Sequence, residues 1–325
     1  MKKLLQVLVG SSIIISAMCA QDFKITPLKS SIAEESFQTI IANRALNALG
    51  YEVQPIQEVA YAVAYQTIAQ NSQSDDVYFI TTKWDPLHNS MTDKVGGSKT
   101  LYEKGLFIAN CAQGYLIDKK SADAYNIKTI NDLKDPKIAK IFDANGDGKA
   151  DLSGCNPGWG CEKVIEHQLD AFGLRDTITH NQGEYSAIMA ETIGRFKQGK
   201  PILYYTWTPY WISGKLVPGK DVVWLQVTHS AHPITKDTTL PNGANYGFNV
   251  NNQHIVANKS IETKHKDIAK LFEIMQISVN DISAENMMIA NGEKKQKDMI
   301  RHADQWIKAH KTTFDQWIAT AKAAK

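Results

Sequence analysis

Three tryptophans stand beside proline or glycine at the ends of apolar runs. They are Trp84 in Lys83-Trp84-Asp85-Pro86-Leu87-His88, Trp159 in Cys155-Asn156-Pro157-Gly158-Trp159-Gly160-Cys161, and Trp207 in Tyr204-Tyr205-Thr206-Trp207-Thr208-Pro209-Tyr210-Trp211. Taken singly, each has an ordinary explanation as core packing. Taken together, three rings on bent loops suit one chemistry, the caging of a cation that cannot donate hydrogen bonds. A quaternary ammonium group is such a cation, and each desolvated ring contact contributes up to about 2 kcal/mol.

The cysteine loop adds the opposite charge preference. Glycine allows positive φ and proline fixes φ, so the segment between Cys155 and Cys161 is sharply bent. The N–H groups of Gly160 and Cys161, at the mouth of the helix that follows, suit a carboxylate. A molecule with an ammonium at one end and a carboxylate at the other is a betaine. His88 offers a further donor, and by spacing alone it reads equally well as a packing histidine in a turn.

These loops need rigid elements behind them. Phe23–Leu28 reads as a first strand, and Phe37, Ile40, Ile41, Ala45, Leu46 and Leu49 recur at helical spacing up to Gly50. Tyr51–Val53 and Asp76–Ile80 read as strands, with a helix over Val59–Ala69 between them. Beyond Gln113–Ile117, helical patterns cover Ile130–Phe142, Cys161–Phe172 and Tyr185–Gln198, and strand patterns cover Ile202–Ile212 and Val222–Val227. A strand at Ile255–Ala257 precedes a C-terminal stretch that is helical throughout, with Leu271, Phe272, Met275, Trp306, Ile307, Phe314, Trp317 and Ile318 as its buried face. Alternating strands and helices predict an α/β chain of two lobes, each a mostly parallel sheet flanked by helices, with a ligand in the cleft between them.

Met1-Lys2-Lys3, the apolar run Leu4–Met18 and the small residues Ala17 and Ala20 have the layout of a cleavable export signal, so residues 1–20 are expected to be removed. The run is shorter than the ~20 apolar residues of a membrane span, which argues against a retained anchor. Met18 is an unfavourable neighbour for a lipidated Cys19. Export makes Cys155–Cys161 the natural disulfide pair, closing a loop for about 2 kcal/mol of chain-entropy stabilisation. Zinc lacks a second cysteine or histidine pair of the right spacing, and Cys111 lies in an apolar run as a buried thiol. A net charge of +2, with 22% charged residues, gives no field for nucleic acid or anionic membranes.

The residues also carry a family resemblance over essentially the whole mature chain. Ala112–Lys120, Leu133–Lys140, Asp143–Cys161, Tyr204–Trp211, Gly219–Val227 and Leu240–Phe248 resemble the periplasmic glycine betaine/proline betaine-binding proteins of osmoprotective ABC importers. The resemblance implies the two-lobed type II binding-protein fold, with lobes 21–111 plus 230–325 and 112–229 closing on ligand by a hinge. It implies that Trp84, Trp159 and Trp207 box the ammonium. It further implies that His88 and the amides of Gly160 and Cys161 hold the carboxylate, and that Cys155 and Cys161 are disulfide-bonded. The expectation is a monomeric periplasmic capture protein, not an enzyme, that hands its ligand to a membrane permease driven by a separate ATPase; choline or carnitine is the alternative ligand. Cys111, Lys83 and Asp85 depart from the family pattern. Asp85 adjoins the box, with ligand tuning and solvent exposure both open to it.

Two other constellations bear on the chemistry. Asp143, Asn145, Asp147 and Asp151 have the spacing of a calcium loop, but Gly154 occupies the position of its bidentate glutamate, and such clusters also make ordinary turns. A structural calcium is the only cofactor this chain suggests. A secreted hydrolase lacks its motif, because Gly-x-Ser-x-Gly is absent and the disulfide would consume the best-placed thiols.

Overall fold

The computed structural model describes residues 21–325, so the export signal expected at 1–20 lies outside the described residues. Eleven strands follow one another along the chain: β1 Ile25–Lys29, β2 Gln57–Glu58, β3 Val77–Asp85, β4 Leu101–Glu103, β5 Ile108–Cys111, β6 Gln113–Asp118, β7 Ala150–Ser153, β8 Ile178–Asn181, β9 Leu203–Trp207, β10 Val222–Leu225 and β11 Asn251–Asn258. They form two sheets. The first has the order β2-β1-β3-β11-β4, with β5 also paired to β11, and the second has the order β10-β6-β9-β7-β8.

Both sheets are mixed, where the sequence pattern predicts mostly parallel ones. β1 runs parallel to β2 and β3, but β11 runs antiparallel to β3, β4 and β5. In the second sheet β7 is parallel to β8 and β9, while β6 is antiparallel to β9 and β10. Helical crossovers supply the parallel pairs, as the right-handed βαβ unit requires. β11 arrives after the whole second sheet has been built, and enters the first sheet in the reverse direction.

Local chemistry sets the element ends. The helix Glu34–Leu49 buries Phe37, Ile40, Ile41, Ala45 and Leu46, the predicted stripe. It stops at Gly50, whose φ of 100° is open to glycine, with the Tyr51 N–H reaching back to the Leu46 carbonyl at 3.1 Å. Tyr51–Val53 does not become a full strand: Val53 makes a single bridge to Ile25, and Pro55, which has no N–H, interrupts pairing before β2. Pro136 likewise breaks the predicted helix Ile130–Phe142 into a 3₁₀ turn at Ile130–Lys134, a short helix at Pro136–Ala139 capped by the Asp135 carboxylate, and a second 3₁₀ turn.

The C-terminal stretch forms five helices between Ile261 and Lys322. Leu271, Phe272, Met275, Trp306, Phe314, Trp317 and Ile318 are buried there, whereas Ile307 is only partly covered. Of these, Val279–Ala290, Gln296–Ala309 and Lys311–Lys322 pack on Glu34–Leu49, which itself packs on β1 and β3. The inner strand ends are left free to build a site.

Candidate ligand-binding site

One cavity gathers every residue expected at the ligand. Trp84, His88, Trp159, Gly160, Cys161 and Trp207 all line it, and elements of both sheets contribute. Trp84 is the penultimate residue of β3, and Trp207 ends β9. After each, the chain turns through a cis proline, at Asp85–Pro86 and at Thr208–Pro209. Trp159 precedes the helix Gly160–Ala171 as its N-cap.

The three rings meet nearly at right angles. Trp84 and Trp207 have centroids 6.4 Å apart with planes at 78°, and Trp159 and Trp207 are 5.8 Å apart at 68°. Trp84 and Trp159 thus each stand edge-on to Trp207, so the rings form walls rather than a stack, an arrangement that suits a cation cage. Around them lies a second ring of aromatics missed in the sequence reading. Tyr185 and Tyr210 pack on Trp207 at 4.8 and 4.2 Å, and Tyr61 packs edge-on to Trp159 at 6.1 Å. They fix the orientation of the indoles and deny water access to their backs.

The other pole of the cavity gathers hydrogen-bond donors. His88 is buried, and its Nδ1 lies 2.7 Å from the Tyr65 hydroxyl and 3.5 Å from the Trp84 N–H. A backbone N–H can only donate, so Nδ1 is the acceptor and the ring proton sits on Nε2. Burial, together with the nearby positive charge of Lys83, lowers the pKa of His88 to about 3. The imidazole is therefore neutral, and its remaining nitrogen is a single N–H donor. Opposite it, the helix Gly160–Ala171 begins with no side-chain cap, so its first amides and the positive end of its dipole are available.

The cysteine loop holds these parts together. Cys155 and Cys161 form a disulfide with Cα atoms 6.6 Å apart, and Gly158 adopts φ 86°. Gly160 is required by contact: a Cβ there would lie 2.5 Å from Leu87 Cγ and 2.9 Å from the Leu87 carbonyl oxygen. Each pole is thereby shared between the two sheets. Trp84 and His88 come from the first, while Trp159, Trp207, Gly160 and Cys161 come from the second.

The departures from the expected pattern fall outside the cavity. Lys83 and Asp85 flank Trp84 in the strand, so strand alternation turns them to the opposite face. There Lys83 is buried and pairs with Glu103 at 2.7 Å and Asp85 at 3.1 Å. Asp85 is not among the cavity-lining residues and does not face the ligand position. Cys111 is buried, and burial pushes its thiol pKa up to about 12, which leaves it inert.

The Asp143–Asp151 loop is closed by its own hydrogen bonds. Asp143 accepts from the N–H groups of Gly146 and Gly148, Asn145 from Asp147, and Asp151 from Ala144 and Asn181. Those bonds hold the Asp143 pKa below its ordinary value, Gly146 contributing most. Among the described residues no group of three or more His, Cys, Asp or Glu side chains is gathered as a metal site.

The cavity contains polar residues that sequence reasoning passed over. Gln253 stands directly across the ladder from Trp84, and Gln113 directly across from Trp207, so each indole has a glutamine beside it on the same face. Glu34 and Gln38 reach the cavity from the first turns of their helix. Nothing in the local pattern distinguishes these residues from strand and helix-start residues elsewhere, because the register that brings them here is non-local.

Comparison with known proteins agrees with this geometry. A family described as the substrate binding domain of ABC-type glycine betaine transport systems matches residues 24–309. A glycine betaine/proline betaine-binding periplasmic protein of Escherichia coli (strain K12) is 56% identical over 303 residues, covering 93% of this chain and 91% of that protein. Two solved structures share the fold. An ABC-transporter choline-binding protein in complex with choline has a TM-score of 0.70 at 17% identity, covering 93% of this chain and 96% of its own. Lactococcal OpuAC, closed around glycine betaine, has a TM-score of 0.68 at 21% identity, covering 91% of this chain and 100% of its own. The chain belongs to the family of substrate-binding domains of ABC-type glycine betaine transport systems.

Proposed function

We propose that this protein captures glycine betaine and proline betaine in the periplasm and delivers them to the permease of an ABC importer, supporting osmoprotection. The observation that carries the reading is the pairing of two unlike poles in one cavity. Perpendicular indoles at Trp84, Trp159 and Trp207 face a quaternary ammonium, and the neutral Nε2–H of His88 with the amides of Gly160 and Cys161 faces a carboxylate. Nothing is asked of the ligand but to be held: the two poles are rings and donors, and the role is binding rather than turnover.

Capture follows from closing the lobes 21–111 plus 230–325 and 112–229 on each other. Closure expels water, and both the ring contacts and the hydrogen bonds strengthen in the lower dielectric. Release to the permease then needs the lobes to part. Support for the compartment comes from the periplasmic relative, the Cys155–Cys161 disulfide and the export-signal pattern.

Calorimetric titration with glycine betaine, proline betaine, carnitine and choline tests the reading. Saturable binding of the first two at one site per chain is expected. Failure of all four to bind would overturn it.

A further inference from the structure

The cavity holds two carboxyl groups that the two-pole description does not use, Glu34 and Glu35, and of these Glu34 has an oxygen without a partner among the described residues. Glu34 lines it from the first turn of the helix Glu34–Leu49, is 5% exposed, and its Oε1 has no hydrogen-bond partner among the described residues. The residues around it supply no compensating cation. Glu35 neighbours it on its own helix, Glu285 faces it from the helix Val279–Ala290, and Tyr210 and the Trp211 N–H approach from the second sheet's side. The buried acceptors Gln38 Oε1 and Gln253 Oε1 share the cavity and are likewise unpartnered among the described residues.

A bare carboxylate has no place in so enclosed and acidic a setting. Burial, reinforced by Glu35 and Glu285, raises the pKa of Glu34 to about 8, against the weaker pull of its own helix amide and that of Trp211. At neutral pH the side chain is therefore an uncharged acid, while above pH 8 it becomes a negative charge within the ligand cavity. Its partner at Glu35 is tied differently, accepting from the Tyr61 hydroxyl and from the Ser30 N–H at 2.7 Å.

We propose that Glu34 is the charge-selecting residue of this cavity, its neutral form leaving preference to the zwitterion and its ionised form favouring ligands of net positive charge. This rests on the betaine-binding reading and adds to it a residue that sets which quaternary ammonium compound is accepted. Glycine betaine carries a carboxylate that an ionised Glu34 repels; choline carries only the cation. Both ligands keep their charges between pH 6 and 9.5, and His88 stays neutral throughout, so the groups that change are the raised carboxyls: Glu34 and Glu35 in the cavity lining and Glu285 beside Glu34.

The test is the ratio of choline to glycine betaine affinity, measured by competitive titration at pH 6, 7, 8 and 9.5. In the wild type the ratio should rise with pH by about tenfold or more, the Coulomb difference expected when a carboxylate lining the same cavity acquires its charge. In E34Q, a permanent mimic of the neutral acid, the ratio should stay at its low-pH value, whereas E285Q should retain the rise. A flat wild-type ratio overturns the proposal without recourse to any variant, and an undiminished rise in folded E34Q overturns the assignment to Glu34. If glycine betaine binds with a flat ratio, the capture function stands and this proposal alone falls; if it does not bind at any pH, both fall.

Discussion

Replacing His88 with alanine separates the two poles of the site. Its Nδ1 is taken up by the Tyr65 hydroxyl at 2.7 Å and the Trp84 N–H at 3.5 Å, so the ring offers ligand one donor, Nε2–H. A hydrogen bond to a charged group contributes about 1.5–3 kcal/mol, so the Kd for glycine betaine should rise about 10- to 150-fold. Choline has no carboxylate for that donor to meet, and its Kd should change by less than about threefold. The sign of the pH effect follows from the depressed pKa. With His88 titrating at about 3 rather than near 6.5, the neutral donor is fully present from pH 5 to 7. Its contribution to affinity should be flat there, changing only on acidification through pH 3. Isothermal titration calorimetry at pH 5, 6 and 7 with both ligands reads all of this, and thermal melting checks the loss of ring packing against Tyr61 at 4.4 Å. Equal losses for both ligands, or a wild-type transition near pH 6.5 that vanishes in the variant, would refute the reasoning.

Two other substitutions probe the remaining walls. Trp159→Ala removes a half-buried ring 5.8 Å from Trp207 and should weaken glycine betaine binding by about 30-fold or more, the equivalent of one desolvated cation–π contact, with a modest change in melting temperature; unchanged affinity in calorimetry would take Trp159 out of the box. Gly160→Ala places a Cβ 2.5 Å from Leu87 Cγ, so the two sheets cannot approach as closely, and affinity should fall by about tenfold or more while the ligand-free melting temperature holds; wild-type affinity would show that the contact at Leu87 yields without cost.

Much of the site was readable before any coordinates, for a physical reason. Box and anion pole sit where strands end and a helix begins, and the bends there need proline, glycine and a disulfide, which mark themselves in the sequence as they do around Trp84, Trp159 and Trp207. Residues that reach the cavity from regular elements carry no such mark. Gln113 and Gln253 look like any strand residue, and only the ladder register places them beside Trp207 and Trp84. Glu34 is a helix-start acid of an ordinary kind, but its helix begins at the cavity. Asp85 illustrates the converse: next to Trp84 in sequence, it points away because strand neighbours alternate. Strand direction was equally invisible, since hydrophobic period says nothing about which way β11 runs.

The division of each pole between the sheets has a consequence for unloading. Neither half owns a complete recognition site: one keeps a single indole and a histidine, the other keeps two indoles and a helix mouth. Any movement that widens the gap dismantles both poles in the same stroke. On the proposed transport role, a transporter docked across the two halves would need no competing anion, no proton and no chemical trigger to empty the site; mechanical separation would be enough.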